Sequence, residues 1–179
     1  ISHYCPNAQK GPFIPLLSDF RIDDFPSRLK CRERHRLQFI YIGAHSDDRE
    51  LPLVLEAVVM ALMAGARADF RFVGGADAEI QCLSEVPSVT KWIKEGVITL
   101  EKPIPRHQIP QLLSQADIGM SLIPPKPIYV ESSPTKLAEY MAAGLVVLAS
   151  KGIPQQEKIV CDSRGGELVH WGLREIAES

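Results

Sequence analysis

Short apolar segments that alternate with helical segments dominate the sequence after residue 37. Strands are predicted at residues 37–43, 69–75, 96–100, 117–123 and 145–150, with a sixth at 166–171. Helices are predicted at residues 51–65, 77–85, 86–95, 106–116, 133–144 and 155–160, with a short helical segment at the C-terminal end. Because such alternation builds βαβ units, the sequence predicts an α/β fold, a Rossmann-like parallel sheet flanked by helices on both faces.

Two regions are predicted along the chain of 179 residues. Residues 1–36 contain four prolines and a charged run, "RLKCRERHR", and are predicted to be a linker that wraps onto the domain. Residues 37–179 are predicted to be the folded domain. Its first helix is apolar almost all round, so we expect it to lie between the sheet and another part of the chain, or to have its second face covered from outside.

Net charge and cysteine content exclude several classes of function. The formal net charge of −2 favours neither nucleic acid nor an anionic membrane as a partner. The four cysteines lie far apart with no C-x-x-C, which favours reduced thiols in a cytoplasmic protein over a zinc site or a disulfide framework. The segment at residues 51–66 is shorter than the roughly 20 residues of a membrane-spanning helix.

The common nucleotide and hydrolase motifs are missing from the strand-to-helix loops. Such loops matter because ligands bind parallel sheets beyond the carboxyl ends of the strands. The first two loops read "GAHSDDRE" and "GGADAE", neither of which is G-x-G-x-x-G, and the sequence has no P-loop and no G-x-S-x-G elbow. His45 in the first loop is predicted to be exposed. Trp92 and Trp171 are predicted to pack in the core or at its rim.

The segment "ESSPTKLAEYMAAG" combines two glutamates with a helix start. Ser133 is predicted to cap the helix and Pro134 to take its first position. Helical spacing places Leu137, Tyr140, Met141 and Gly144 on the core face. Glu139 then points away from the core, towards the outside.

Lys136 lies in the first turn of this helix, where the helix dipole disfavours a cation. A bound phosphate would reverse that preference, because it would meet free N–H groups and the ammonium together. The alternative is that Lys136 and Glu139 form a surface pair worth about 0.2–0.5 kcal/mol and that Glu131 is a loop charge. The residue types alone do not decide between the two interpretations.

This segment resembles the donor-site motif of retaining, family-four glycosyltransferases, which consist of two Rossmann-like domains in the GT-B architecture. The resemblance rests on Glu131, seven intervening residues, Glu139 and the following "YMAAG" before an apolar strand. The segments "FIYIGAHSDDRELPLVLEA", "DFRFVGG" and "ITLEKPIPRHQIPQLLSQADIGMSLIP" resemble the preceding parts of that domain in the same order. The resemblance therefore implies one half of a GT-B enzyme.

The resemblance also implies roles for individual residues. Glu131 is implied to contact the donor sugar near the reacting carbon, as the catalytic residue, and Glu139 to hold the ribose hydroxyls. Lys102, Pro103 and Ile104 are implied to border the nucleobase. The phosphate loop and the helix start are implied to face the diphosphate, through Gly43, Arg49, Ser133, Pro134, Thr135 and Lys136. No metal and no cofactor are implied, and the nucleoside diphosphate (NDP) sugar is the donor substrate.

The phosphate loop departs from the family pattern at one position. The family usually places an arginine after the first-strand glycine and a lysine about five residues later, whereas this chain has Ala44 and, near the second position, Arg49. The missing contact could cost about 1.5–3 kcal/mol, for which Lys136 is predicted to compensate. Arg49 is either a phosphate ligand or a solvated residue at a helix start.

The resemblance implies that residues 37–179 are the donor-binding domain of a retaining hexosyltransferase in surface polysaccharide biosynthesis, with a glycan or lipid-linked acceptor. An N-terminal acceptor-binding domain is then expected to precede the chain, with peripheral membrane association as a further expectation and no transfer activity in the chain alone. Two alternatives remain: a non-catalytic Rossmann-like module that acts as a partner or regulatory subunit, and, more weakly, a flavodoxin-like or receiver domain, for which Asp47 and Asp48 are the only support.

Overall fold

The computed structural model describes residues 36–179, and the predicted linker lies outside the described residues except for Arg36. Six strands are present: β1 (Leu37–Ile42), β2 (Ala68–Val73), β3 (Ile98–Glu101), β4 (Ile118–Ser121), β5 (Val146–Ser150) and β6 (Gly166–Val169). The helices are α1 (Leu51–Met63), α2 (Asp77–Ser84), α3 (Pro87–Lys94), α4 (Ile109–Leu113), α5 (Pro127–Val130), α6 (Thr135–Ala142), α7 (Pro154–Ser163) and α8 (Leu173–Ala177). Short 3₁₀ turns, Asp47–Arg49 and Arg106–Gln108, precede α1 and α4.

The strands form one parallel sheet in the order β3-β2-β1-β4-β5-β6. The chain builds outward from β1 to β3 on one side and from β4 to β6 on the other. β1 and β4 are therefore neighbours from which the connections leave in opposite directions. At such a switch point the loops diverge and leave a crevice at the carboxyl ends of the strands. The predicted fold class is confirmed.

Successive side chains of each strand pack alternately into two hydrophobic cores, one on each face of the sheet. In β1, Tyr41 packs with Phe72 and the buried residues of α1 and α3, whereas Ile40 and Ile42 pack against the other face, which α4, α6 and α7 cover. This period of two follows from the pleat of the strand. A sheet buried on both faces needs apolar residues at nearly every position, which explains the continuous apolar runs in the sequence.

Helix α1 is buried on two sides, as its all-round apolar sequence predicts. Leu51, Leu55 and Val58 are among its buried residues, and α3 and α8 both pack against it. The described part of the chain thus supplies the cover itself. Trp92 and Trp171 are half-buried and pack against the same core, as predicted.

The helix predicted at residues 133–144 begins differently from the prediction. Pro134 precedes the first helical residue with φ −79° and ψ 81°, and no side chain caps the helix. The N–H of Thr135 instead donates to the carbonyl of Ser133 at 2.9 Å. This three-residue turn has the geometry of an inverse γ-turn, so the predicted Ser133 cap and the helical position of Pro134 are both wrong.

Candidate functional site

A cavity of about 410 Å³ opens at the switch point between β1 and β4. Its walls come from five segments: the end of β1, the 3₁₀ turn that carries Arg49, the end of β4, α5, and the start of α6. The lining residues include Gly43, Arg49, Ser133, Pro134, Thr135 and Lys136. The tertiary structure therefore brings together six of the nine predicted site residues from positions up to 93 residues apart.

Glycines allow the loops after β1 and β2 to pack against each other beside this cavity. Gly74 has φ +130°, and a Cβ atom there would lie 2.2 Å from the carbonyl oxygen of Gly43. Only glycine tolerates both the backbone conformation and the contact. The N–H of Gly43 donates to the carbonyl of Val73 at 2.9 Å, which extends the β1–β2 pairing up to the cavity.

A buried polar network fixes the loop after β4. The Ser150 hydroxyl donates to the carbonyl of Ile123 at 2.6 Å and accepts the N–H of Ile123 at 2.9 Å. Gln156 donates to the Ser150 carbonyl at 2.8 Å and accepts the hydroxyl of Ser121 at 2.6 Å. These hydrogen bonds hold the wall of the cavity that β4 supplies, since a fully satisfied buried network favours a single arrangement.

Arg49 lies in the wall of the cavity against an aromatic ring. Its guanidinium carbon is 4.4 Å from the ring centre of Tyr129 in α5. The side chain is half-buried, so Arg49 is not simply solvated. Neither Tyr129 nor α5 is predicted from the sequence, although Pro127 at the first helical position is a signal for a helix start.

Tyr41 lines the cavity near Arg49. Its hydroxyl donates to the carbonyl of Ala44 at 3.1 Å. Burial raises the pKa of Tyr41 to about 12, although the positive charge of Arg49 acts in the opposite direction. Tyr41 is therefore a neutral hydrogen-bonding group at physiological pH.

Glu139 lies inside the protein, and the prediction that it points outwards is wrong. The residue is 3% exposed, and its carboxylate lies 2.7 Å from the Lys136 ammonium and 3.7 Å from the Arg106 guanidinium. A buried carboxylate needs such partners because desolvation of an unpaired charge is costly. The predicted i, i+3 pair with Lys136 exists, but it is a partly buried contact and not a surface one.

Three of the nine predicted site residues lie outside the cavity lining: the buried Glu139, and Glu131 and Ile104. Glu131 is exposed at the C-terminal end of α5, and Ile104 is half-buried against the core next to α4. Neither residue lines the cavity. Their implied contacts with the donor sugar and the nucleobase stay predictions.

His45 is buried, so the prediction that it is exposed is wrong. The residue is 4% exposed, and within residues 36–179 neither ring nitrogen has a hydrogen-bond partner. The ring fills the space over Gly75, where a Cβ atom would lie 2.3 Å from its Nδ1. Burial lowers the pKa of His45, although the charge of Glu79 acts in the opposite direction.

The predictions of reduced cysteines and of no membrane-spanning helix concern residues outside the cavity. Cys82 and Cys161 are exposed free thiols, and Cys5 and Cys31 lie outside the described residues. Among residues 36–179, none of the helices has both the length and the apolar character that a membrane crossing requires.

A family model described as glycosyl transferases group 1 matches residues 36–178. A comparison with curated protein sequences gave no match. The match to the family model spans the whole sheet and every segment that lines the cavity.

Solved structures of larger glycosyltransferases share the fold. The glycosyltransferase WaaG, described as involved in lipopolysaccharide biosynthesis, matches with a TM-score of 0.65 and 15% identity over 99% of this chain and 49% of that one. HepE from Anabaena, solved in complex with UDP and glucose, matches with a TM-score of 0.62 and 18% identity over 89% of this chain and 44% of that one. The chain thus spans less than half the length of these two proteins.

A third structure consists of one domain alone. The C-terminal domain of the group 1 glycosyl transferase LpcC from Francisella tularensis matches with a TM-score of 0.58 and 17% identity, over 90% of this chain and 80% of that one. At these identities the three matches establish the fold.

Proposed function

The chain belongs to the group 1 glycosyl transferases, and from this premise we propose that residues 37–179 bind the donor, a nucleoside diphosphate sugar. The observation that carries the proposal is the cavity of about 410 Å³ at the β1–β4 switch point, where six of the predicted donor-binding residues meet. This is the place where open parallel sheets bind nucleotides. The fold shared with HepE, which was solved with UDP and glucose, supports the same class of ligand.

We propose that the diphosphate lies at the start of α6. The first backbone N–H groups of this eight-residue helix have no partner within the helix, and the helix dipole favours an anion there. Lys136 and Arg49 add positive charge to the same cavity. Gly43 lets the backbone of the β1 loop approach the phosphates without steric conflict.

Glu139 is proposed to accept hydrogen bonds from the two ribose hydroxyls. A carboxylate has enough lone pairs to accept a vicinal diol while it keeps one contact with Lys136. Since Glu139 is 3% exposed and lies outside the cavity lining, ribose binding requires the side chains around it to move. Ile104 is proposed to border the base, and Glu131 to contact the donor sugar near the reacting carbon. The side chain of Glu131 is exposed and therefore accessible to a sugar.

The proposed reaction transfers the sugar, a hexose, to a glycan or lipid-linked acceptor with retention, in surface polysaccharide biosynthesis. The leaving diphosphate is stabilised by the start of α6, Arg49 and Lys136, without a metal ion. Because the chain spans under half of HepE and WaaG, we propose that a further domain binds the acceptor and that the chain alone transfers no sugar. Cytoplasmic location and peripheral contact with a membrane belong to the same proposal.

Calorimetric titration with UDP, GDP and ADP tests donor binding. We expect one of the three to bind the native chain, and we expect the Glu139→Ala variant to lose most of that affinity. Glu56→Ala is the matched control, because Glu56 is exposed on α1 and distant from the cavity lining. If none of the nucleotides binds, or if both variants bind equally well, donor binding at this site is wrong.

One observation favours the alternative, a non-catalytic partner or regulatory module. The carboxylate of Glu139 is already engaged by Lys136 at 2.7 Å, and Ala44 removes a cation that the family usually supplies. A domain that lost its ligand would keep such an internal pair. Failure of all three nucleotides in the titration would favour this function.

A further inference from the structure

We infer that Tyr129 is a positioning residue that holds the Arg49 guanidinium in the orientation needed to bind the diphosphate. The inference rests on the proposed function and extends it to a residue that contacts no reacting atom. Its basis is the position of the Arg49 guanidinium carbon over the Tyr129 ring, 4.4 Å from the ring centre. Both residues line the same cavity.

This contact matters because an arginine side chain has many rotamers. The guanidinium is a planar group with five N–H donors, and its attraction to the face of an aromatic ring restricts the positions that it takes. The fork can then bind two phosphate oxygens without first losing the freedom of its long side chain. This arrangement gives a single preorganised cation in a loop where Ala44 has removed the usual second one.

Helix α5 is itself held against the turn that carries Arg49. The Lys126 ammonium lies 2.8 Å from the carboxylate of Glu50 and donates to the carbonyl of Asp48 at 3.1 Å. The carboxylate of Glu50 also accepts the indole N–H of Trp171 at 3.0 Å. The ring of Tyr129 therefore sits on a helix that is fixed relative to Arg49, which a positioning role requires.

The same helix carries the proposed catalytic carboxylate. Glu131 follows α5 directly, two residues after Tyr129. Arg49 and Glu131 lie in segments more than 80 positions apart, and α5 connects them. Contact between Arg49 and Tyr129 thus holds the phosphate-binding cation at a fixed distance from Glu131, the proposed sugar-binding residue.

The test compares two substitutions of Tyr129 by titration with UDP, GDP and ADP in parallel with UMP, GMP and AMP. Tyr129→Leu removes the aromatic face, and Tyr129→Phe keeps it. We expect the leucine variant to bind the preferred diphosphate about five- to tenfold more weakly and the monophosphate as before. The phenylalanine variant is expected to keep the native ratio of the two affinities.

A second arm separates positioning from a general structural role. In an Arg49→Ala background, Tyr129→Leu is expected to have no further effect on diphosphate affinity, because the cation it positions is gone. Unchanged or tighter diphosphate binding by Tyr129→Leu would overturn the inference, as would equal loss of both nucleotides. In either case the proposed function stands as long as the native chain binds a nucleoside diphosphate. If the native chain binds none of them, the inference and the proposed function are both wrong.

Discussion

The hydroxyl oxygen of Tyr140 in α6 accepts a hydrogen bond of 2.8 Å from the backbone N–H of Ile42, the last residue of β1. The two residues are 98 positions apart, and the contact is fully buried. It joins the helix of the glutamate motif to the strand at the switch point. The start of α6 and the loop after β1 therefore keep a fixed separation across the cavity.

Removal of the Tyr140 hydroxyl is expected to destabilise the domain. In Tyr140→Phe the N–H of Ile42 stays buried without its acceptor, which costs about 1–3 kcal/mol of the free energy of unfolding. Urea denaturation measures this loss. Tyr41→Phe is the control, because the carbonyl of Ala44, to which Tyr41 donates, lies in an exposed residue and can bind water; we expect a loss of about 0.5 kcal/mol. Equal losses would contradict the prediction.

Gly119→Ala is expected to disturb the same contact from the other side. A Cβ atom at this position would lie 2.4 Å from the Tyr140 ring, so the ring or β4 must move, at about 1–3 kcal/mol. Thermal and urea unfolding measure the effect. The double variant Gly119→Ala with Tyr140→Leu is expected to lose less than the sum of the single variants, because the smaller side chain removes the overlap. Additive losses would refute this explanation.

Stability is expected to fall as the pH is lowered through the ordinary pKa of histidine, because of His45. Its pKa is lowered in the folded state by burial, so below about pH 6.5 the unfolded chain binds a proton that the folded chain does not. Protonation of His45 in the unfolded chain therefore favours unfolding below about pH 6.5 and has no effect on stability well above that pH. Urea midpoints at pH 7.5 and 5.5 measure the change.

The control for His45 is the His45→Leu variant, which has no titrating group at this position. Other ionisable groups act in both proteins, so the difference between the native chain and the variant isolates His45. We expect that difference to shift in favour of the variant at pH 5.5. A difference that stays constant with pH would show that His45 does not titrate in this way.

Lys136→Ala is expected to weaken binding of the preferred nucleoside diphosphate about tenfold or more, through loss of a charge-assisted contact. Calorimetry measures the affinity. Lys158→Ala is the matched control, because Lys158 also forms an ion pair, with Asp162 at 2.5 Å, but lies outside the cavity lining. Unchanged affinity in Lys136→Ala would show that Lys136 does not compensate for Ala44.

Much of the architecture could be predicted from the sequence. The segment "LQFIYI" is apolar at nearly every position, whereas "ADFRFV" alternates apolar and charged residues before it ends in two apolar ones. Both are strands, as predicted. The spacing of Leu137 and Tyr140 correctly predicts the buried face of α6. These features are local, because periodicity within one segment determines which side chains face the sheet.

Other features depend on contacts between distant segments. Helical spacing places Glu139 on the side of α6 opposite its core-facing side. The segment that carries Arg106 lies against that opposite side. His45 is four positions from Tyr41, yet its buried ring lies against Gly75 of the next βα unit. A single segment carries no information about which neighbour will cover its outer face.

The sequence by itself determined the elements, their parallel arrangement and the family, because hydrophobic period and motif order are properties of the chain. The tertiary structure alone decided the strand order, the cavity at the β1–β4 switch point, the burial of Glu139 and the contact of Arg49 with the Tyr129 ring. The physical reason is that burial and electrostatic pairing are set by side chains that approach through space. The glutamate motif specifies one wall of the cavity, and the packing of β1, β4 and α5 supplies the others.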